Sequence, residues 1–200
     1  MSETIESILV FWFGNSSNTL EICSEKEPMW WSKNPEIDRE ITGRFETVTL
    51  AIAAGRLGEW QASPPGLLAS IIALDQFPRN MYRGTAKSFA FDSMALGFAN
   101  TMIGNGWDKE LHRAYRGFAY MPFEHSEDIR DQRQCVSLFS QLHGLAPEEE
   151  KEKFGAWVQF AIRHMEIIER FGRFPHRNPI LERPSTGEED EFLRQPNSSF

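Results

Sequence analysis

Pro64-Pro65-Gly66-Leu67-Leu68-Ala69-Ser70-Ile71-Ile72-Ala73-Leu74-Asp75-Gln76-Phe77-Pro78-Arg79-Asn80 is the stretch on which the fold turns. The two prolines suit a first helical turn. The residues after them are apolar nearly all round, so the helix they form is buried on most sides and lies at the centre of the domain. Asp75 falls on the face made by Leu68, Ile71 and Ile72, where a carboxylate needs a cation or several donors. Pro78 disfavours helical geometry in the residue before it, so a stop at Phe77 and a turn from Pro78 to Gly84 are expected.

Working outward, the other segments read as amphipathic helices. Ile5, Ile8, Leu9 and Trp12 form one face of a short helix from Thr4 to Phe13. Asn18 to Pro28 reads as polar loop and Met29-Trp30-Trp31 as an aromatic knot. Asn34-Pro35 starts a helix striped by Ile37, Ile41, Phe45, Val48 and Ile52. Further helices are expected from Phe91 to Ile103 and from Trp107 to Phe118. Tyr120 to Phe123 reads as a loop that packs down. Ser126 would cap a helix running to about Leu142. Pro147 would open a long helix, with Phe154, Trp157, Val158, Ala161, Met165 and Ile168 facing inward and Gly172 ending it. Ser185-Thr186-Gly187-Glu188 fits a capping box before a last helix from Glu188 to Leu193. The expectation is an all-α fold of seven to nine helices packed as antiparallel pairs, with 1–194 one domain and 195–200 a frayed tail.

Composition narrows the function classes. The 200 residues are 40% hydrophobic and 25% charged, an ordinary globular balance. Asp and Glu number 29 against 21 Lys and Arg, a net charge of −8 that argues against nonspecific nucleic-acid binding. The longest apolar run, Gly66 to Leu74, is too short to span a bilayer. Met1-Ser2-Glu3 lacks the basic start of a secretory signal. Cys23 and Cys135 are expected as reduced thiols, and the setting as cytoplasmic.

The polar motifs gather at helix ends. Asp75-Gln76-Phe77-Pro78-Arg79-Asn80 is echoed by Arg170-Phe171-Gly172-Arg173-Phe174-Pro175-His176-Arg177-Asn178. Arginine offers a planar fork of donors to carboxylate or phosphate. Arg79, Arg83, Arg173 and Arg177, with Asn80 and Asn178, would hold a small anion if the two turns meet. His125 lies in Phe123-Glu124-His125-Ser126-Glu127-Asp128. His125 and His176 would move protons, Asp75 would orient one of their partners, and Glu127, Asp128 and His164 would line the site. No cofactor is expected. The alternative of a divalent metal would draw on His125, His164 and His176 with Asp75, Glu127 and Asp128, although no His-Glu-x-x-His run or zinc-finger spacing is present. Glycine-rich phosphate loops and a Gly-x-Ser-x-Gly elbow are also missing. Hydrolysis or group transfer would each fit such a site. Two other readings stand beside it: a helical module that binds a peptide or protein partner through an apolar groove, and a buried polar network that only docks helices. Oligomeric state is left open.

Four motifs in this order resemble an uncharacterised bacterial family. They are Leu9-Val10-Phe11-Trp12-Phe13-Gly14, Leu74 to Asn80 with Arg83-Gly84, Tyr120 to Asp128, and Arg170 to Asn178. The resemblance spans about Ile5 to Leu193. It implies an all-helical, tetratricopeptide-repeat-like fold and carries no agreed reaction. Glu182-Arg183 departs from it, because a Gly-Arg pair is usual there.

Overall fold

The computed structural model describes residues 3–196 and 198. The helices are α1 (Ile5–Phe13), α2 (Thr19–Trp31), α3 (Pro35–Ala53), α4 (Pro64–Ile71), α5 (Phe77–Met81), α6 (Asp92–Gly104), α7 (Arg113–Glu124), α8 (Ile129–Leu145), α9 (Glu148–Phe171) and α10 (Gly187–Leu193). A π-helical turn, Ile72–Gln76, joins α4 to α5 without a break, and short 3₁₀ turns fill several connections. The fold is all-α. α8 and α9 pack along each other and are joined by only two residues, which obliges them to run antiparallel.

Every residue from Gly66 to Pro78 is buried, as an all-round apolar helix requires. Burying Leu67, Leu68, Ile71, Ile72, Leu74 and Phe77 stabilises the fold by about 1.5–3 kcal/mol for each side chain. α1, α3, α6 and α7 surround this rod. Phe77 stacks on Phe45 with centroids 4.6 Å apart and meets Trp12 edge-on at 5.7 Å. A second, smaller core joins Ile167, Ile168 and Phe174 with Ile129, Phe171 and Phe192. Trp12 and Trp30 are core residues, whereas Trp31 is half exposed.

Two expected breaks are helical instead, and a third, from Pro78 to Gly84, is helical as far as Met81 and a turn over 82–84; each contains a proline. α2 replaces the loop expected over Asn18 to Pro28. Asn18 caps it by accepting from the Leu20 and Glu21 amides, and Ile22, Cys23 and Trp30 turn inward. The Trp30 indole then donates to the Trp12 carbonyl at 3.0 Å, tying α2 to α1. α7 runs through Pro122, because burial of Phe118, Tyr120 and Phe123 offsets the cost of an interior proline, about 3 kcal/mol. At Pro78 the π turn supplies the answer. The Phe77 amide reaches back five residues to the Ile72 carbonyl, and Pro78 falls in the first turn of α5, where its missing N–H costs little.

Two caps lie off their expected positions. Asp128, not Ser126, caps α8, and the Ser126 hydroxyl accepts from the Asp128 amide at 3.2 Å. Thr186 caps α10, and its capping box closes through Glu189 rather than Glu188. Gly172 ends α9 in the left-handed conformation at φ 67°. Of the expected tail, residues 197, 199 and 200 lie outside the described residues; the Ser198 hydroxyl donates to the Leu193 carbonyl at 3.1 Å.

α7 approaches α9 closely where Gly117 faces Trp157. A Cβ at Gly117 would sit 2.1 Å from the indole ring. Gly117→Ala is therefore expected to lower stability by about 1–3 kcal/mol, read as a lower urea midpoint.

Candidate functional site

Asp75 is wholly buried in the π turn, and the bonds that satisfy it define the site. One carboxylate oxygen accepts from His125 Nδ1 at 2.8 Å, and the other from Gln76 Nε2 at 2.6 Å. An Arg79 guanidinium nitrogen lies 3.5 Å from the carboxylate and also donates to the Asp75 backbone carbonyl. Burial pushes the carboxyl pKa up. The His125 and Arg79 charges and the His125 and Gln76 hydrogen bonds more than reverse this, holding it at about 2. Burial, aided by Arg79 and opposed by Asp75, lowers His125 below its ordinary 6.5. At neutral pH the pair is thus a carboxylate accepting from a neutral imidazole. Nδ1 carries the proton, and Nε2 is left with its lone pair. Among the described residues no group pairs with Nε2, and the His125 side chain is 14% exposed.

Two arginines stand beside this dyad. Arg79 forms a bidentate pair with Asp92, at 2.9 and 3.0 Å. Arg177 donates to the His125 carbonyl at 3.1 Å, and its guanidinium lies 3.8 Å from Asp92. The Arg177 guanidinium carbon lies over the Phe174 and Phe89 rings, 4.5 and 4.7 Å from their centroids. Arg177 is 7% exposed, and its Nε has no hydrogen-bond partner among the described residues. Burial, then Arg79, lowers its pKa to about 10.

A second buried layer lies beneath. Glu124 precedes His125 at the end of α7. Burial, then the Asp75 charge, pushes its carboxyl up to about 8, so it is protonated at neutral pH. Cys135 Sγ lies 4.0 Å from it and His164 Nδ1 3.6 Å. His164 donates from Nδ1 to the Phe160 carbonyl at 2.9 Å, and burial holds its pKa near 3. His176 packs beside Phe174, and burial followed by Arg177 lowers it to about 4.

The remaining candidates are engaged elsewhere. Asn80 and Arg83 both bind Asp38 of α3, at 2.9 Å and at 2.7–2.8 Å. Arg173 forks onto Glu189, and Asp128 pairs with the exposed Arg130. Glu127 accepts from the Phe174 amide and from Arg183, while Arg183 donates to Asn178. The four-arginine pocket expected from sequence thus reduces to Arg79 and Arg177 around the dyad. Asp92 and Phe89 carried no sequence signal, because nothing local marks them as partners of residues far along the chain. Gln76 and Glu124 lie inside the quoted motifs, but nothing local sets them apart from their neighbours. Among the described residues no three His, Cys, Asp or Glu side chains are grouped to hold a metal, and no helix is long and apolar enough to cross a membrane.

Residues 8–197 match the bacterial family of unknown function DUF924, and the chain belongs to that family. A solved structure of a protein of unknown function from Agrobacterium tumefaciens is similar, with 34% identity, a TM-score of 0.80, and coverage of 95% of this chain and 96% of that one. No functionally curated protein matches the chain. The likeness establishes family and fold without supplying a reaction.

Two expected outcomes follow from this geometry. As pH falls below 6.5, the unfolded chain takes protons that folded His125, His164 and His176 resist, so stability declines. As pH rises from 4.5 to about 8, folded Glu124 keeps a proton that the unfolded chain has lost, so stability declines in that direction too. These slopes oppose one another, so unfolding free energy should peak near pH 7 and fall by about 1 kcal/mol or less toward pH 8. Glu124→Gln should flatten that alkaline limb in denaturant titrations. Separately, exposed Glu182 sits at φ 54°, where a side chain is strained. Glu182→Gly should raise stability by about 1 kcal/mol, seen as a higher denaturant midpoint.

Proposed function

We propose that this chain binds a small phosphate- or carboxylate-bearing molecule at the Asp75–His125 cluster, with Arg79 and Arg177 as its cationic wall. The observation that carries this reading is the dyad itself: a wholly buried carboxylate fixes His125 Nδ1, while Nε2 has no pairing group among the described residues, beside two guanidinium groups. In this arrangement His125 is the proton-transfer group. It accepts a proton at Nε2, and Asp75 stabilises the imidazolium that forms. Such chemistry fits hydrolysis or group transfer. A cytoplasmic setting is part of the same proposal and suits two free, buried cysteines.

A second reading draws on the outer pairs, Asp38 with Asn80 and Arg83, Arg173 with Glu189, and Glu127 with Arg183. They join separate elements and would serve as a structural network within a partner-binding helical module. A surface groove of about 780 Å³ between α1 and α3, with Ile5, Val48, Leu57 and Trp60 on its wall, favours it.

A thermal-shift screen against phosphorylated and carboxylated metabolites separates the two. At a hundredfold excess over Kd, binding adds about 2.7 kcal/mol. For a chain of this size that is a Tm rise on the order of 5–10 °C. The rise should be saturable, lost in Arg177→Lys, which keeps the charge but not the fork, and kept in His125→Gln. An identical response in wild type and Arg177→Lys would mean that the ligand is held elsewhere. Under the second reading Arg177→Lys costs stability and changes no ligand response.

A further inference from the structure

Between Arg79 and Arg177 lies a carboxylate that belongs to the chain. Asp92 opens α6, and it takes both forked donors of Arg79. It serves Arg177 poorly, since the separation there, 3.8 Å, is beyond hydrogen-bond range. Arg177 keeps a buried Nε with no partner among the described residues, so the clamp offers more donors than Asp92 uses. Asp92 is 21% exposed and can leave toward solvent. The Phe89 and Phe174 rings pack against the Arg177 guanidinium and help to hold it in place. The occupant already seated on the Arg79 fork is a carboxylate, so an incoming carboxylate can reproduce the same two parallel hydrogen bonds in its place.

We infer that Asp92 is the resident occupant of this two-arginine clamp, and that the ligand binds through a carboxylate that takes its place. The inference rests on the anion-binding reading above and narrows its ligand to the carboxylates. Asp92 then acts as an internal competitor. Tethered at the site, it holds a high effective concentration that an incoming carboxylate must overcome.

Acetate and inorganic phosphate, titrated at matched ionic strength against sodium chloride, are the probes. Thermal shift is read on the full chain and on Asp92→Asn. Acetate should stabilise both, with a half-saturating concentration about tenfold or more lower in Asp92→Asn, while phosphate gains less. If acetate binds Asp92→Asn no more tightly than wild type, or if phosphate gains more than acetate, the inference is overturned while anion binding stands. If neither anion stabilises either protein, the anion-binding reading fails with it. Should Asp92→Asn not fold, hydrogen exchange on the wild-type chain decides. Saturating acetate should speed exchange at the Ser93 to Ala95 amides as Asp92 detaches, and unchanged exchange there overturns the proposal.

Discussion

A carboxylate at zero exposure is the constraint around which this molecule is arranged. Taking Asp75 out of water costs several kcal/mol unless its oxygens are met by donors and a countercharge. No single element can supply them. His125 comes from the end of α7, Arg79 from the next turn of the same rod, and Gln76 from its immediate neighbour. The end of α7 must therefore dock at one height along the rod, beside the π turn. Arg177, reaching the His125 carbonyl, draws the segment after α9 to the same point.

The polar motifs divide by depth. An inner set, Asp75, Gln76, Arg79, His125 and Arg177, shares one low-dielectric neighbourhood, where a charge on one changes the proton affinity of the next. An outer set, Asn80, Arg83, Arg173, Glu127 and Asn178, is spent on ties such as the forks onto Asp38 and Glu189. Those ties join α5 to α3 and the turn after α9 to α10. They hold the inner set in place, and Glu127 also adds negative charge near Arg177.

Much of this was legible in the sequence. The apolar circumference from Leu67 to Leu74 marked the central rod, and the isolated Asp75 on it marked the site, because a charge among aliphatic side chains has to be answered. What escaped was nonlocal. Proline reads as a break through local geometry, yet Pro28, Pro78 and Pro122 all lie in continuous helix, where burial and a π turn overrode the local preference. The arginines were visible as cations, but their partners Asp38, Asp92 and Glu189 are surface-type acids whose roles only folding assigns. Counting cations at a turn overestimates an anion site for that reason. The departure at Glu182 was a conformational signal: the usual glycine corresponds to a positive φ that this chain imposes on a glutamate.

The π turn has a further meaning for how this chain tolerates change in length. It holds one residue more than an α-helix would use over the same rise. Each residue of an α-helix turns the chain by about 100°. Deleting Ile72, Ala73 or Leu74 would close the turn to ordinary helix and move the residues left in it, Asp75 among them, by one place around the axis relative to α4. Asp75 and Arg79 could not then both keep their present partners, even with every side chain of the site still in the sequence. The spacing within this turn is as much a component of the site as the residues it carries.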